Sequence, residues 1–161
     1  MRHSPNQKVK VTQIKQSGNH FLVSFDNAET LKYHRSFRAG RSIKLDQIID
    51  NPILERFRNE AEQHSAQLEA KKFLTKRSRT RLHTQRRLQK AGVRSEIISA
   101  TLDSLENSGY LNDSTYAQDW TEERLRLRPR AKRVIQQELR AAGINSETAA
   151  AAVQHIDDQS I

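Results

Sequence analysis

One stretch of this chain occurs twice. RTRLHTQRRLQKAGVRSEIISATL (residues 79–102) reappears 51 residues further on as RAKRVIQQELRAAGINSETAAAAV (residues 130–153). Leu88 aligns with Leu139, Gly92 with Gly143, Val93 with Ile144, Ser95 with Ser146, Glu96 with Glu147 and Leu102 with Val153. A fixed offset marks a repeated supersecondary unit, and repeated units make extended surfaces more often than catalytic pockets. Apolar residues are only 35% of the chain and charged residues 29%. A single large core is therefore out of reach, and short helices stabilised by mutual packing fit better. The expected fold is mainly α: tandem three-helix repeats in an elongated body, preceded by a small N-terminal β-rich segment.

Residues 1–7 read as a loose tail. From Val9 to about Ser42 the pattern is that of strands. Val9, Val11 and Ile14 form one candidate, Phe21, Val23 and Phe25 a second, and Leu31 and Tyr33 a third. Phe21, Val23 and Phe25 alternate with Leu22, Ser24 and Asp26, the period-two pattern of a half-buried strand. Ser17-Gly18-Asn19 and Asp26-Asn27 suit hairpin turns. These features predict a three- or four-stranded sheet over residues 1–45. Asp46 suits the cap of a short helical turn through Ile49. Asn51-Pro52 then resembles a cap with proline at the first helical position. A helix from Pro52 to about Thr75 follows, with a break expected in the polar stretch 59–66.

The remainder reads as helices. Ser78 suits the cap of a helix over 79–91, which Gly92 stops in the left-handed conformation. Ser95 opens the next helix and Ser108-Gly109 closes it. Asn112 or Asp113 opens the stretch to Leu127. Pro129 starts another helix, which Gly143 ends, and Asn145 or Ser146 caps the last one, ending near Ile156. The resulting organisation is a strand-rich segment 1–45, a first helical unit 46–109, a second 110–157 and a tail 158–161. Phe57, Phe73, Tyr110, Tyr116 and Trp120 are read as core aromatics.

The formal net charge is +9, which favours a polyanionic partner. Between Glu69 and Glu96 there is no acidic residue, yet Lys71, Lys72, Lys76, Arg77, Arg79, Arg81, Arg86, Arg87, Lys90 and Arg94 fall there. Charge runs are usually solvated faces. Here, however, no ion pair inside the stretch can relieve the repulsion, and the second copy is basic too. It carries Arg124, Arg126, Arg128, Arg130, Lys132, Arg133 and Arg140. Arg79 aligns with Arg130 and Arg81 with Lys132, which suggests a surface that tracks a repeating anion such as nucleic-acid phosphate.

Catalysis finds little support. His3, His20, His34, His64, His83 and His155 are scattered, with no pair at helical ligand spacing, so no metal site is expected. Glu122 and Glu123 are adjacent and point to different faces. Gly92 and Gly143 are helix stops, and no glycine loop cradles a phosphate. The chain reads as a non-enzyme with no cofactor. It has no run of 18 apolar residues, no signal-peptide pattern near its start and no cysteine. A reducing cytoplasm and no membrane partner are the expectation.

Residues 109–144, GYLNDSTYAQDWTEERLRLRPRAKRVIQQELRAAGI, resemble the signature of the RecX family of regulatory proteins. The matching positions are Tyr110, Leu111, Asp113, Tyr116, Ala117, Arg124, Pro129, Val134, Glu138, Leu139 and Gly143. The first copy resembles that family's opening repeat, with Arg81, His83 and Arg86 in its usual acidic positions. The resemblance runs from about Leu68 to Ile156. It implies three-helix repeats that bind the RecA recombinase filament on single-stranded DNA. It further implies inhibition of ATP hydrolysis, strand exchange and filament growth in recombination, DNA repair and the SOS response. Many members carry three repeats, whereas two are visible here, and a monomer suits binding in a filament groove.

The expected contact residues are Arg79, Arg81, Arg86, Arg87, Lys90, Arg130, Lys132, Arg133 and Arg140, with Arg124, Arg126 and Arg128 next. Two other readings compete. A general nucleic-acid-binding helical module needs only the basic helices. A nuclease needs clustered carboxylates, which the sequence does not show.

Overall fold

A computed structural model of the chain describes residues 7–157. The tail expected at 158–161, and all but the last residue of the one expected at 1–7, lie outside the described residues. The chain divides into two compact units, one up to Leu68 and one from Glu69 onward.

The first unit is a four-stranded antiparallel sheet in the order β3-β2-β1-β4. Its strands are β1 (Lys8–Ser17), β2 (His20–Phe25), β3 (Thr30–His34) and β4 (Ile48–Asp50), with a 3-10 turn Arg38–Ser42 between the last two. The alternation read in the sequence sets the register, with Val23 opposite Ile14 on one side and Leu31 on the other. Val9, Val11, Val23, Phe25, Leu31 and Tyr33 thereby share the buried face. The pairing of β1 with β2 shifts between Val11 and Gln13, a bulge where the Thr12 hydroxyl donates to the Ser24 carbonyl.

The helical turn expected from Asp46 to Ile49 does not form: Asp46 sits in a turn, and Ile48 and Ile49 open the strand β4. Asp46 N–H donates to Val11 O and Gln47 O accepts from Val11 N–H, so pairing with β1 continues into β4. Backbone hydrogen bonding to an open sheet edge outweighs a single capping aspartate. Gly40 is required for a close approach. A Cβ there would lie 2.3 Å from the Tyr33 ring, whose hydroxyl donates to the Gly40 carbonyl at 2.9 Å.

Helix α1 (Asn51–Lys76) runs unbroken through the polar stretch where a break was expected. Its early turns place Leu54, Phe57 and Ala61 against the sheet core. Burying a leucine or phenylalanine there contributes about 2 kcal/mol. Arg58 fastens this part of the helix to the β2–β3 hairpin through Glu29 at 2.9 Å and the Thr30 carbonyl at 2.7 Å.

The second unit comprises the last turns of α1 with α2 (Arg81–Lys90), α3 (Ser95–Asn107), α4 (Asp113–Leu127), α5 (Lys132–Ala141) and α6 (Ser146–Ala152). Both ends of α2 and α5 stand 51 residues apart, as do the ends of α1 and α4 and the starts of α3 and α6. Three glycines stop helices as their sequence positions predict. Gly92, Gly109 and Gly143 have positive φ. After each, the next amide reaches back to Leu88, Leu105 or Leu139, closing a Schellman motif.

Two helix starts differ from expectation. Thr80, not Ser78, caps α2, accepting from His83 N–H. Helix α5 begins at Lys132, not Pro129, because Arg128 before the proline is extended and Arg130 and Ala131 continue outside the helix. Asn112 and Asn145 cap α4 and α6 through Thr115 N–H and Thr148 N–H.

Buried Leu88, Ile98, Leu102 and Leu105 in the earlier helices correspond, at the same offset, to buried Leu139, Ala149, Val153 and Ile156. The two halves of this unit meet directly. The Thr80 hydroxyl donates to the Ala142 carbonyl at 2.7 Å, and the Asp113 carboxylate accepts from Arg81 N–H at 2.8 Å. Gly143 lies where a Cβ would meet Leu82 at 2.5 Å.

Candidate cationic interface

The basic run from residue 71 to 94 is partly neutralised by carboxylates from outside it. Arg81 holds Asp103 at 2.8 Å and Glu106 at 2.7 Å, both on α3. Burial opposes its charge, but those two hydrogen-bonded carboxylates prevail and hold the guanidinium above its ordinary pKa. Arg87 holds Glu69 on α1, with its Nε at 2.9 Å. In the later helices Glu138 is a hub. It accepts from Arg124 Nε at 3.0 Å and from Trp120 Nε1 at 3.0 Å, and lies 3.5 Å from Arg130. Arg124 also stacks over the Trp120 ring at 4.0 Å. Arg81, Arg87, Arg124 and Arg130 are thus engaged within the fold, the first two by carboxylates that lie outside the basic run. The partners come from neighbouring helices, which spacing along one helix does not reveal.

The other expected contact residues hold no carboxylate among the described residues. They are Arg79, Arg86, Lys90, Arg126, Arg128, Lys132, Arg133 and Arg140. Arg86 and Lys90 are exposed one turn apart on α2, and Arg133 and Arg140 are exposed two turns apart on α5. These pairs do not match across the offset. Arg86 and Lys90 correspond to Gln137 and Ala141, whereas Arg133 and Arg140 correspond to Leu82 and Gln89. The matched cations are those nearest the helix starts, and there Arg81 and Arg130 hold carboxylates.

One cleft was not anticipated. Glu69, Lys72, Phe73, Lys76, Arg79 and Arg87 line a hollow of about 290 Å³ between the end of α1 and α2. Phe73, read as a core aromatic, is only half-buried, and the Arg79 and Arg87 guanidiniums lie 5.0 and 5.9 Å from its ring centre. Extending the 51-residue offset back to Glu69 and Phe73 aligns them with Trp120 and Arg124, a signal available in the sequence. Tyr110 is likewise outside the core, exposed with Lys71 over its ring at 4.7 Å.

His83 sits half-buried beneath these cations and 6.3 Å from the Tyr116 ring. Burial, then Arg79 and Arg86, push its pKa down against the pull of Asp113. Burial in turn pushes the Asp113 carboxyl up, despite the Arg81 amide it accepts. Three histidines far apart in sequence are gathered in the first unit. Ser36 Oγ bridges His34 Nδ1 at 2.7 Å and His64 Nε2 at 2.8 Å, and the His20 ring meets His34 edge-on. Among the described residues no group of three or more histidine, cysteine or acidic side chains is placed to hold a metal ion. No helix there is long and apolar enough to cross a membrane.

Residues 112–153, covering α4 to α6, match the family described as RecX, second three-helix domain. Helices α4 to α6 are accordingly of the class of three-helix domains. Regulatory protein RecX of Mycobacteroides abscessus is 34% identical over 88 residues, 55% of this chain and 43% of that protein. The Corynebacterium efficiens protein of the same name is 32% identical over 105 residues, 64% of this chain and 50% of its own. That of Streptococcus agalactiae serotype V is 24% identical over 153 residues, 95% of this chain and 59% of its own. The chain spans about half the length of these relatives. A crystal structure of regulatory protein RecX has the same fold at a TM-score of 0.69 and 16% identity, over 91% of this chain and 73% of that one. RecX of Lactobacillus salivarius gives 0.57 at 22% identity, over 58% and 60%. Residues 112–153 thus match the second three-helix domain of RecX, and the chain is similar to RecX proteins beyond that domain.

Proposed function

We propose that this protein is a non-enzymatic regulator of the RecA recombinase, binding its filament on single-stranded DNA and lowering its ATP turnover. In this reading it acts as a cytoplasmic monomer built on two tandem helical units. The later turns of α1 with α2 and α3 form the first unit, and α4 to α6 form the second. The exposed cations Arg86, Lys90, Arg133 and Arg140 face DNA phosphates and acidic patches of the filament. Arg79, Arg126, Arg128 and Lys132 lie in supporting positions. The observation that carries the reading is the set of cations left without carboxylates on a helical unit of RecX type. Placing such charges together without internal partners is unfavourable for folding alone, so an external anion is the compensation.

The test follows ATP hydrolysis by RecA on single-stranded DNA. Wild-type protein is expected to lower turnover and shorten filaments. Replacing Arg86, Lys90, Arg133 and Arg140 with glutamate together should cost at least tenfold in potency, and the remaining effect should depend less on salt. Each phosphate that is no longer neutralised lowers the log–log salt slope by roughly 0.7. Undiminished potency of the quadruple variant would place the interface elsewhere. Unchanged ATP turnover at molar excess of the wild type would remove RecA as the target. Tight, sequence-dependent duplex binding without RecA would favour a general nucleic-acid module instead.

A further inference from the structure

The corner between α4 and α5 and the corner between α1 and α2 occupy corresponding positions but carry different chemistry. In the later corner Trp120, Glu123, Arg124, Leu127, Arg130 and Glu138 stand where the earlier corner has Glu69, Lys72, Phe73, Lys76, Arg79 and Arg87. The later set has two cations and two carboxylates. The earlier has four cations and one carboxylate, around a hollow of about 290 Å³. Glu138 satisfies the later corner from inside, taking Arg124, Arg130 and the Trp120 N–H together. At its position the earlier corner has Arg87, turned to Glu69. Arg79, the counterpart of Arg130, keeps its buried Nε without an acceptor among the described residues. Lys72 and Lys76 flank it, exposed.

We propose that the cleft between the end of α1 and α2 is a receptor for a carboxylate side chain from an acidic segment of a partner protein. That carboxylate takes the place which Glu138 fills internally in the later corner. The inference rests on the correspondence of the two helical units, and on the RecA reading only for who the partner is. A carboxylate fits better than a nucleotide for two reasons. The molecule already holds a carboxylate at the equivalent place, on arginine donors that include Arg79's counterpart. The Phe73 ring is engaged by two guanidiniums and so offers no open platform for a base. A glutamate-rich segment brings further negative charge to Lys72 and Lys76, and Arg79 donates in the charge-assisted manner typical of such pairs.

The experiment uses the full chain without RecA. A fluorescein-labelled hexaglutamate peptide and a labelled oligothymidine of equal charge are titrated separately by fluorescence anisotropy. Arg87→Glu, which installs the later corner's own residue, should close the cleft internally and weaken peptide binding at least tenfold. Arg77→Glu makes the same charge change at an exposed position outside the cleft lining and should weaken it less than threefold. Lys76→Gln, at an exposed site where folding is not at issue, should weaken it threefold to fivefold. Thermal melts by circular dichroism check that each variant folds. Equal losses in Arg77→Glu and Arg87→Glu would overturn the proposal in favour of diffuse charge. Loss of oligothymidine binding alone in Arg87→Glu would overturn it in favour of a nucleic-acid site. Failure of the peptide arm leaves the ATP-turnover test untouched, so the two readings fail separately.

Discussion

The two halves of the helical unit share helix starts, helix stops and buried positions, and they part company in how they treat charge. The later half folds one of its acidic residues inward, where Glu138 gathers an indole and two guanidiniums. The earlier half pins Arg81 and Arg87 to carboxylates on other helices and leaves Lys72, Lys76, Arg86 and Lys90 exposed. Backbone correspondence therefore carries no guarantee of electrostatic correspondence. The apolar residues that fix a helix pair tolerate little change, while the polar residues around them can be rewired without disturbing the fold.

The paired glycines put the greatest strain on this correspondence. Gly143→Ala adds a Cβ against Leu82 and forces an L-residue to φ +92°. It should cost about 3–4 kcal/mol in urea unfolding, combining overpacking with left-handed strain. Gly92→Ala meets nothing within 4 Å and bears only the strain of φ +80°, about 1 kcal/mol. Equal losses would mean that the packing between the halves contributes nothing.

A smaller effect separates the acidic partners. Glu138→Gln keeps the shape but removes the charge from a half-buried hub and should cost about 1–2 kcal/mol. Glu69→Gln removes one pair whose arginine is nearly half exposed and should cost at most about 0.5 kcal/mol. If the second loss matched the first, the earlier corner would be as internally neutralised as the later one.

The smallest effect is a pH dependence confined to the earlier half. His83 corresponds to Val134, so only one half has a titrating group there. Its folded pKa is lowered, chiefly by burial and by Arg79 and Arg86. The unfolded chain therefore binds the proton more readily. The contribution to stability is fully present above an unfolded value of about 6.5 and is lost as pH falls from there through the lower folded value. His83→Val should flatten the melting temperature across that window. An unchanged slope would assign the acid sensitivity to another group, such as His20 in the sheet, whose pKa burial also lowers.

Much of the backbone was legible because its signals are local. Glycine stops, asparagine caps and the alternation of Phe21, Val23 and Phe25 each depend on a few neighbouring residues. What escaped was set by distant ones. Asp46 has the makings of a cap, but residues 46–47 already pair with Val11, which only the folded sheet supplies. The polar stretch 59–66 looks like a break, yet α1 passes through it. The same limit governs the interface. The excess of arginine is plain from the sequence, but Asp103, Glu106 and Glu138 decide which arginines are spoken for, and they reach across from other helices or other turns. Phe73 escaped because an aromatic residue reads as core by default until the cations above it are seen.

The hydrogen bond from Thr80 to the Ala142 carbonyl has a consequence for how such a chain can be dissected. The doorway of the earlier half is bolted from the far end of the later one, across 62 positions of sequence. A fragment ending near residue 110 would strip the bolt from Thr80 and bare Leu82. One starting there would strand the Ala142 carbonyl. The two halves stand or fall together, and moving one into another protein would have to carry its neighbour along.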